Sequence, residues 1–183
     1  MSNFIVNPYT FAVAEEELTV CEAGNCTGSS FDNFNTTSNI GLGLWVDTNN
    51  VLIGKVVTKV KFYLKMTDTD AVSGTAGCRH YDDNDDLVET SSTTFAKGSV
   101  ITDSVTACEF VFTDSNAVAL DHKFVVVDSL PASGNWMLIQ YFSGCVGGGG
   151  DSCTGVDVAQ LRSTGVWTQH PTGAEQMTAT YTG

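Results

Sequence analysis

Between Val56 and Met66 the chain reads VVTKVKFYLKM, and no other stretch limits its fold as tightly. Val56, Val60, Phe62, Leu64 and Met66 fall on one side of a two-residue repeat, with Thr58 the only polar intruder. Val57, Lys59, Lys61, Tyr63 and Lys65 fall on the other. Successive side chains of a strand point to opposite faces, so this pattern is a half-buried strand with its lysines toward water.

Similar segments follow at short intervals. Ala76–Tyr81 leads into the turn-like DDNDD and then Leu87–Ser91. Val105–Phe112 places Cys108, Phe110 and Phe112 on one face, and Phe124–Val127 is a continuous apolar run of the kind found in central strands. Trp136–Phe142 alternates again, with Trp136 read as a core residue, and Val156–Leu161, Val166–Thr168 and Met177–Tyr181 complete the series. Short strands separated by Gly, Asp, Asn and Ser turns predict an all-β fold, an antiparallel two-sheet β-sandwich with jelly-roll-like character. No window sustains a helical period; Glu15–Val20 could at most begin a short helix.

At 183 residues and 42% hydrophobic, the chain suits one domain with a real core. No clear boundary or internal repeat divides it, so residues 1–183 are read as a single sandwich domain. Within it, residues 1–50 form an arm and early strands, and 51–183 the main sandwich. The apolar positions Phe4, Val6, Tyr9, Phe11 and Val13 make the arm a candidate for assembly, either pairing within its own sandwich or adding a strand to a neighbour.

Eight Lys and Arg against 21 Asp and Glu give a net charge of −13. A nucleic-acid partner needs a cationic stripe that so few scattered bases do not supply, and anionic lipid is repelled in the same way. The acid excess instead favours solubility, repulsion between free subunits, or cation binding. No apolar run approaches the ~20 residues of a membrane span, and the opening MSNFIVNPYTFAVAEEE lacks the pattern of a secretory signal.

The six cysteines are Cys21, Cys26, Cys78, Cys108, Cys145 and Cys153. Disulfides persist on secreted proteins and on virion or cell surfaces. A virion protein, which leaves by lysis and oxidises afterwards, reconciles them with the missing signal. Cys21–Cys26 and Cys145–Cys153 could close small loops, the latter around the flexible Gly147–Gly150. Cys78 and Cys108 could bridge the sheets if they face the core from opposite sides. Six cysteines admit fifteen pairings, and reduced, buried thiols are the alternative. No C-x-x-C pair or finger-spaced histidine favours zinc.

Asp82, Asn84 and Asp86 alternate like the first ligands of a calcium loop, but Leu87 stands where that loop needs Gly and Thr93 where it needs Glu. A solvated hairpin turn competes with calcium there, and no other cofactor is indicated. His80, His122 and His170 lie in no nucleophile or metalloprotease motif, and His80 shares the inward parity of Cys78. The chain is therefore read as non-enzymatic. Trp167, in STGVWTQHPTG, is the candidate for stacking against a sugar, and Asn25 and Asn35 begin glycosylation sequons.

Three segments between about Asn50 and Gly144 carry a resemblance: KVVTKVKFYLKMT, SGTAGCRHYDDNDDLVETSSTT and CEFVFTDSNAVALDHKFVVV. This half of the chain resembles jelly-roll domains of virion-surface proteins from tailed phages and archaeal viruses, and related carbohydrate-binding modules. The resemblance implies a structural subunit of a virion surface (capsid, decoration, fibre or tail) whose partners are its own copies or other surface proteins. An extracellular filament joined by strand exchange and a carbohydrate-binding module or adhesin are the alternatives. Fold alone does not choose among these roles.

Overall fold

The computed structural model describes residues 14–19, 28–34, 39–68, 72–98, 101–113, 115–130, 137–143, 156–162, 164–170, 173–175 and 177–182. Among them are thirteen strands and no helix. These are β1 (Glu16–Thr19), β2 (Gly28–Asn33), β3 (Asn39–Val46), β4 (Val56–Met66), β5 (Thr75–Tyr81), β6 (Leu87–Ala96) and β7 (Thr106–Val111). They continue as β8 (Lys123–Asp128), β9 (Met137–Ser143), β10 (Val156–Arg162), β11 (Trp167–His170), β12 (Gly173–Glu175) and β13 (Met177–Thr182). The first sheet runs β1-β13-β4-β9-β12, with β2 on β9 and β7 on β4; the second runs β11-β10-β3-β8-β5-β6. All pairings between named strands are antiparallel, and the two sheets pack face to face as a β-sandwich.

The core lies between the sheets. β4 contributes Val60, Phe62, Leu64 and Met66, β7 Cys108 and Phe110, β9 Met137 and Ile139. The second sheet answers with Leu42, Leu44 and Val46 of β3, Ala76 and Cys78 of β5, and Phe124 and Val126 of β8. Burying a Leu or Phe side chain is worth roughly 1.5–3 kcal/mol, so this layer dominates the favourable side of folding.

The alternation of β4 holds from Val60 to Met66, but its first turn of the pleat is out of phase with expectation. Thr180 of β13 pairs with Lys59 and Tyr181 with Val57, leaving Thr58 as an extra residue. This bulge reverses the side-chain phase, so Val57 is buried and Val56 only half-buried. Thr58 is no intruder in the core: its Oγ1 donates to the Thr180 carbonyl at 3.3 Å.

Two further expectations change. Glu16–Thr19 is a strand paired with β13 rather than a helix start, since the ladder satisfies its backbone. The inward face of β9 is Met137 and Ile139, with Leu138 and Gln140 half-buried; Trp136 lies outside the described residues. The assembly-arm positions Phe4, Val6, Tyr9, Phe11 and Val13 also lie outside them.

The side where β6 and β7 meet is stitched between sheets. The Glu89 carboxylate accepts from the Thr113 amide at 2.9 Å and hydroxyl at 2.7 Å, and Ser92 Oγ donates to the Val111 carbonyl at 3.2 Å. Near the end of β6, the buried Lys97 ammonium meets Asp128 at 2.7 and 2.8 Å and the Leu130 carbonyl at 2.8 Å. This pair ties β6 to β8; a fully desolvated charge of either sign would be costly alone.

Candidate functional site

The outer face of the second sheet is built around a strand whose outward residues are mostly glycine. Along β3, Leu42, Leu44 and Val46 enter the core, leaving Gly41, Gly43 and Trp45 outward. A methyl group at Gly43 would sit 2.0 Å from the Phe124 carbonyl oxygen, and one at Gly41 would lie 2.8 Å from Val125 Cγ1 and 3.2 Å from Leu161 Cβ. The strands on either side therefore close over β3, and β10 comes within reach of β8 across it. The glycines fold this face inward.

At one end of the hollow stands Lys123, opposite Trp45 on β3 and Tyr81 on β5. Although Lys123 opens β8, it is buried. Its ammonium meets Asp85 Oδ1 at 2.6 Å, the Asp121 carbonyl at 2.9 Å and the Asp82 carbonyl at 3.2 Å. The same nitrogen lies 4.3 Å from the Trp45 ring centroid and 5.5 Å from that of Trp167. Trp45 Nε1 donates to Asp121 Oδ1 at 2.9 Å. Asp85 and Asp121, which hold the cation from the two turns, both adopt positive φ (67° and 64°), a conformation Asp tolerates better than most residues. A cation over indole faces with hydrogen-bond acceptors around it is a rigid support.

Trp167 rests on that support. Its ring meets Tyr81 edge-on at 4.9 Å and Trp45 at 6.4 Å, yet the residue stays half-exposed beside the exposed Val166. Further along the same face is a groove of about 160 Å³ floored by Gly77, with Arg79, Thr75, Thr90, Thr94 and Ser129 around it. Arg79 Nη1 donates to Tyr81 Oη at 3.4 Å and so joins the groove to the aromatic cluster. A fixed, partly exposed aromatic surface next to hydroxyls and a guanidinium can hold a polar ligand that also has an apolar face.

The acidic turn is closed by its own hydrogen bonds. Asp82 Oδ1 accepts from the amides of Asn84 and Asp86, both at 2.9 Å, and the Asp82 amide donates to the Asp86 carbonyl at 3.0 Å. The Asp86 amide, above all, holds the Asp82 carboxyl below the usual aspartate range. Asp82 thus closes the hairpin and Asp85 serves Lys123. Among the described residues no group of three or more His, Cys, Asp or Glu could hold a metal ion, and Asp82, Asn84 and Asp86 lie together in this hairpin turn.

Cys78 and Cys108 are both buried, and both are free thiols, so the inter-sheet bridge does not form. Each is packed as a small apolar side chain. Burial raises both thiols, Cys108 to about 12, and the Cys78 thiol faces the backbone of Arg79 and Val125 instead of the other cysteine. Cys21, Cys26, Cys145 and Cys153 lie outside the described residues, as do Asn25 and Asn35.

His80 points inward, as its parity predicts, and meets a partner that the sequence does not suggest. Its Nε2 lies 2.9 Å from Nδ1 of His122, and its ring stacks on Phe124 at 4.4 Å. One imidazole donates and the other accepts, which locks the ends of β5 and β8 together behind the Lys123 cluster. Both rings are buried.

Trp45, with Trp136 and Trp167, is one of the tryptophans that residue type alone offers for a sugar platform, whereas Arg79 and Lys123 are not singled out by sequence reasoning. A signal for Lys123 exists: it is a lone cation heading the apolar run Phe124–Val127. Arg79 had a weaker one, as the outward residue between the inward Cys78 and His80. No protein-family model matches this chain, and no curated protein matches it either.

Proposed function

We propose that this chain is a non-enzymatic β-sandwich displayed on the outside of a virion or cell, and that it recognises saccharides with the outer face of its second sheet. One observation carries the reading: Trp167 is held by Tyr81, Trp45 and Lys123 yet is only half-buried, on the same face as a hydroxyl-lined groove. A pyranose has one face of C–H groups and a rim of hydroxyls, and this face offers a ring for the first and polar groups for the second. Because the ring is already fixed, little side-chain entropy is lost on binding. A glycan array probed with the wild-type chain and Trp167→Ala tests this. Binding to one glycan class, weakened roughly ten-fold or more in a variant with unchanged circular dichroism, is expected for such an anchor. Equal binding by both proteins, or none by either, overturns the reading.

The structural-subunit reading has its own support, on the opposite sheet. Among the described residues β1 pairs only with β13, so it lies at an edge that a strand from a neighbouring copy could extend. Capsid, decoration, fibre, tail or filament roles would all use such an edge, and none would compete with the face around Trp167. Negative-stain microscopy of the full chain should then show ordered particles or tubes that vanish on deletion of Met1–Val13. A monomer at every concentration sinks the assembly role.

A further inference from the structure

The cations of this chain have an abundance of carboxylates to choose from, 21 for eight Lys and Arg. Lys59, Lys61, Lys97 and Lys123 each have one within 3.2 Å. Arg79 does not. Its hydrogen bond goes to a neutral phenol, Tyr81 Oη, at 3.4 Å, and no carboxylate pairs with it among the described residues. Arg79 as a residue is half-buried, and no counter-ion meets it among the described residues.

The surroundings of Arg79 leave room for one. On β6, Thr90 stands directly opposite Arg79, and Thr94 opposite Gly77. Thr75 and Ser129 hydrogen-bond each other at the groove's end, whereas Thr90 and Thr94 are exposed. Gly77 is not required by crowding: a methyl there would meet only Thr94 Cγ2, at 3.6 Å. What glycine provides is the open floor between Thr94 and Val127, its neighbours on either side. No acidic residue lines the groove. A planar guanidinium fork matches a carboxylate or sulfate, and charge-assisted hydrogen bonds are about twice as strong as neutral ones.

We infer that the Arg79 groove is an anion subsite that takes the carboxylate or sulfate of an acidic sugar. The sugar ring extends toward Tyr81, to which Arg79 is joined by its hydrogen bond, and toward Trp167, whose ring Tyr81 meets. This rests on the saccharide reading above and narrows its ligand class. The net charge of −13 sharpens the inference, because the field of the whole chain repels anions. Preference for an acidic over a neutral sugar therefore reports local recognition and not ion exchange.

Two-dimensional ¹H–¹⁵N spectra of the full chain test it, with the Arg79 Nε–H and the Gly77 amide as reporters of the groove and the Trp167 indole N–H as reporter of the ring. The probes are glucuronate, methyl glucuronate ester, glucose 6-sulfate and methyl glucoside. Saturable shifts at Arg79 and Gly77 are expected with glucuronate or with glucose 6-sulfate, and the responsive probe tells carboxylate from sulfate. The two uncharged sugars should be roughly ten-fold weaker or more at these reporters. Arg79→Gln should remove the Gly77 shift, and Gly77→Val, which fills the groove without touching the charge, should remove the Arg79 shift. Silence at Arg79 and Gly77 with both acidic probes, or equal shifts with the uncharged ones, overturns the subsite. If the Trp167 indole still responds in that case, the saccharide reading survives without it. Arg79 responding while the indole ignores every sugar keeps the anion subsite and removes the saccharide reading instead.

Discussion

The outer faces of the two sheets use the same alternation to opposite ends. On the first sheet, Lys59 pairs with Glu15 and Lys61 with Glu17, each at 3.2 Å, and Lys65 sits 4.0 Å over the Phe31 ring. Those charges are matched across strands and left half-exposed. On the second sheet Lys123 is drawn under two indoles, Trp167 is held half-buried, and Arg79 is left without a carboxylate among the described residues. A face whose lysines meet carboxylates or a ring at its surface is a solvated surface. A face that spends a buried lysine on holding an aromatic ring in place, and leaves Arg79 without a carboxylate among the described residues, is arranged to meet something else. The physical difference begins with β3, where Gly41 and Gly43 let the neighbouring strands close in; the first sheet has no such pair of outward glycines on β4.

The contrast can be broken most severely at Gly43. Ala there would place its methyl 2.0 Å from the Phe124 carbonyl oxygen, a backbone atom with no side-chain freedom to yield. Gly43→Ala is expected to cost about 3 kcal/mol or more in urea unfolding. A cost under ~1 kcal/mol would mean that the hollow is not held by close strand approach.

Lys123→Ala comes next, at roughly 2–4 kcal/mol, because the carbonyls of Asp82 and Asp121 lose their buried donor. Tryptophan emission should shift as Trp45 and Trp167 lose the cation between them. Unchanged emission would detach Trp167 from its support.

A smaller effect is expected with pH. The Asp82 carboxyl titrates lower in the folded chain than the ~3.9 of a free aspartate. Its contribution is therefore fully present above that unfolded value and is lost as pH falls through the lower folded one. Carboxyl ¹³C titration should place its midpoint below ~3.9, with the Asn84 and Asp86 amides shifting in step. A midpoint at or above the free value would remove Asp82 from the turn.

Lys61→Ala should do least, about 0–1 kcal/mol, since its pair with Glu17 is exposed and screened. If Lys61→Ala cost as much as Lys123→Ala, the two outer faces would not differ in the way described.

Much of the sandwich was legible because its strands announce themselves locally. The central position of β8 follows from Phe124–Val127, and the inward turn of His80 from its parity with Cys78. β3 was not legible, although it runs through the middle of the second sheet, because glycine at alternate positions removes the β-branched and aromatic signal that marks a strand. Of the candidate site, Trp167 stood out by residue type alone. Trp45 did so too, but not as its support: Trp45, Tyr81 and Lys123 come from three other strands far apart in the chain, and their meeting is not written in any one of them.

What the sequence determined by itself was therefore the class of the fold and the facing of individual strands, since both depend on a two-residue period readable within a few positions. What only the tertiary structure decided was who stands opposite whom. Thr58 became a bulge because of the register of β13, and Cys78 and Cys108 stayed apart because each thiol packs against its own neighbours. Lys123 found three acceptors and two indoles where Arg79 found a phenol. Partners of that kind are set by long-range register and by the closeness of strands, and periodicity along one strand carries no record of either.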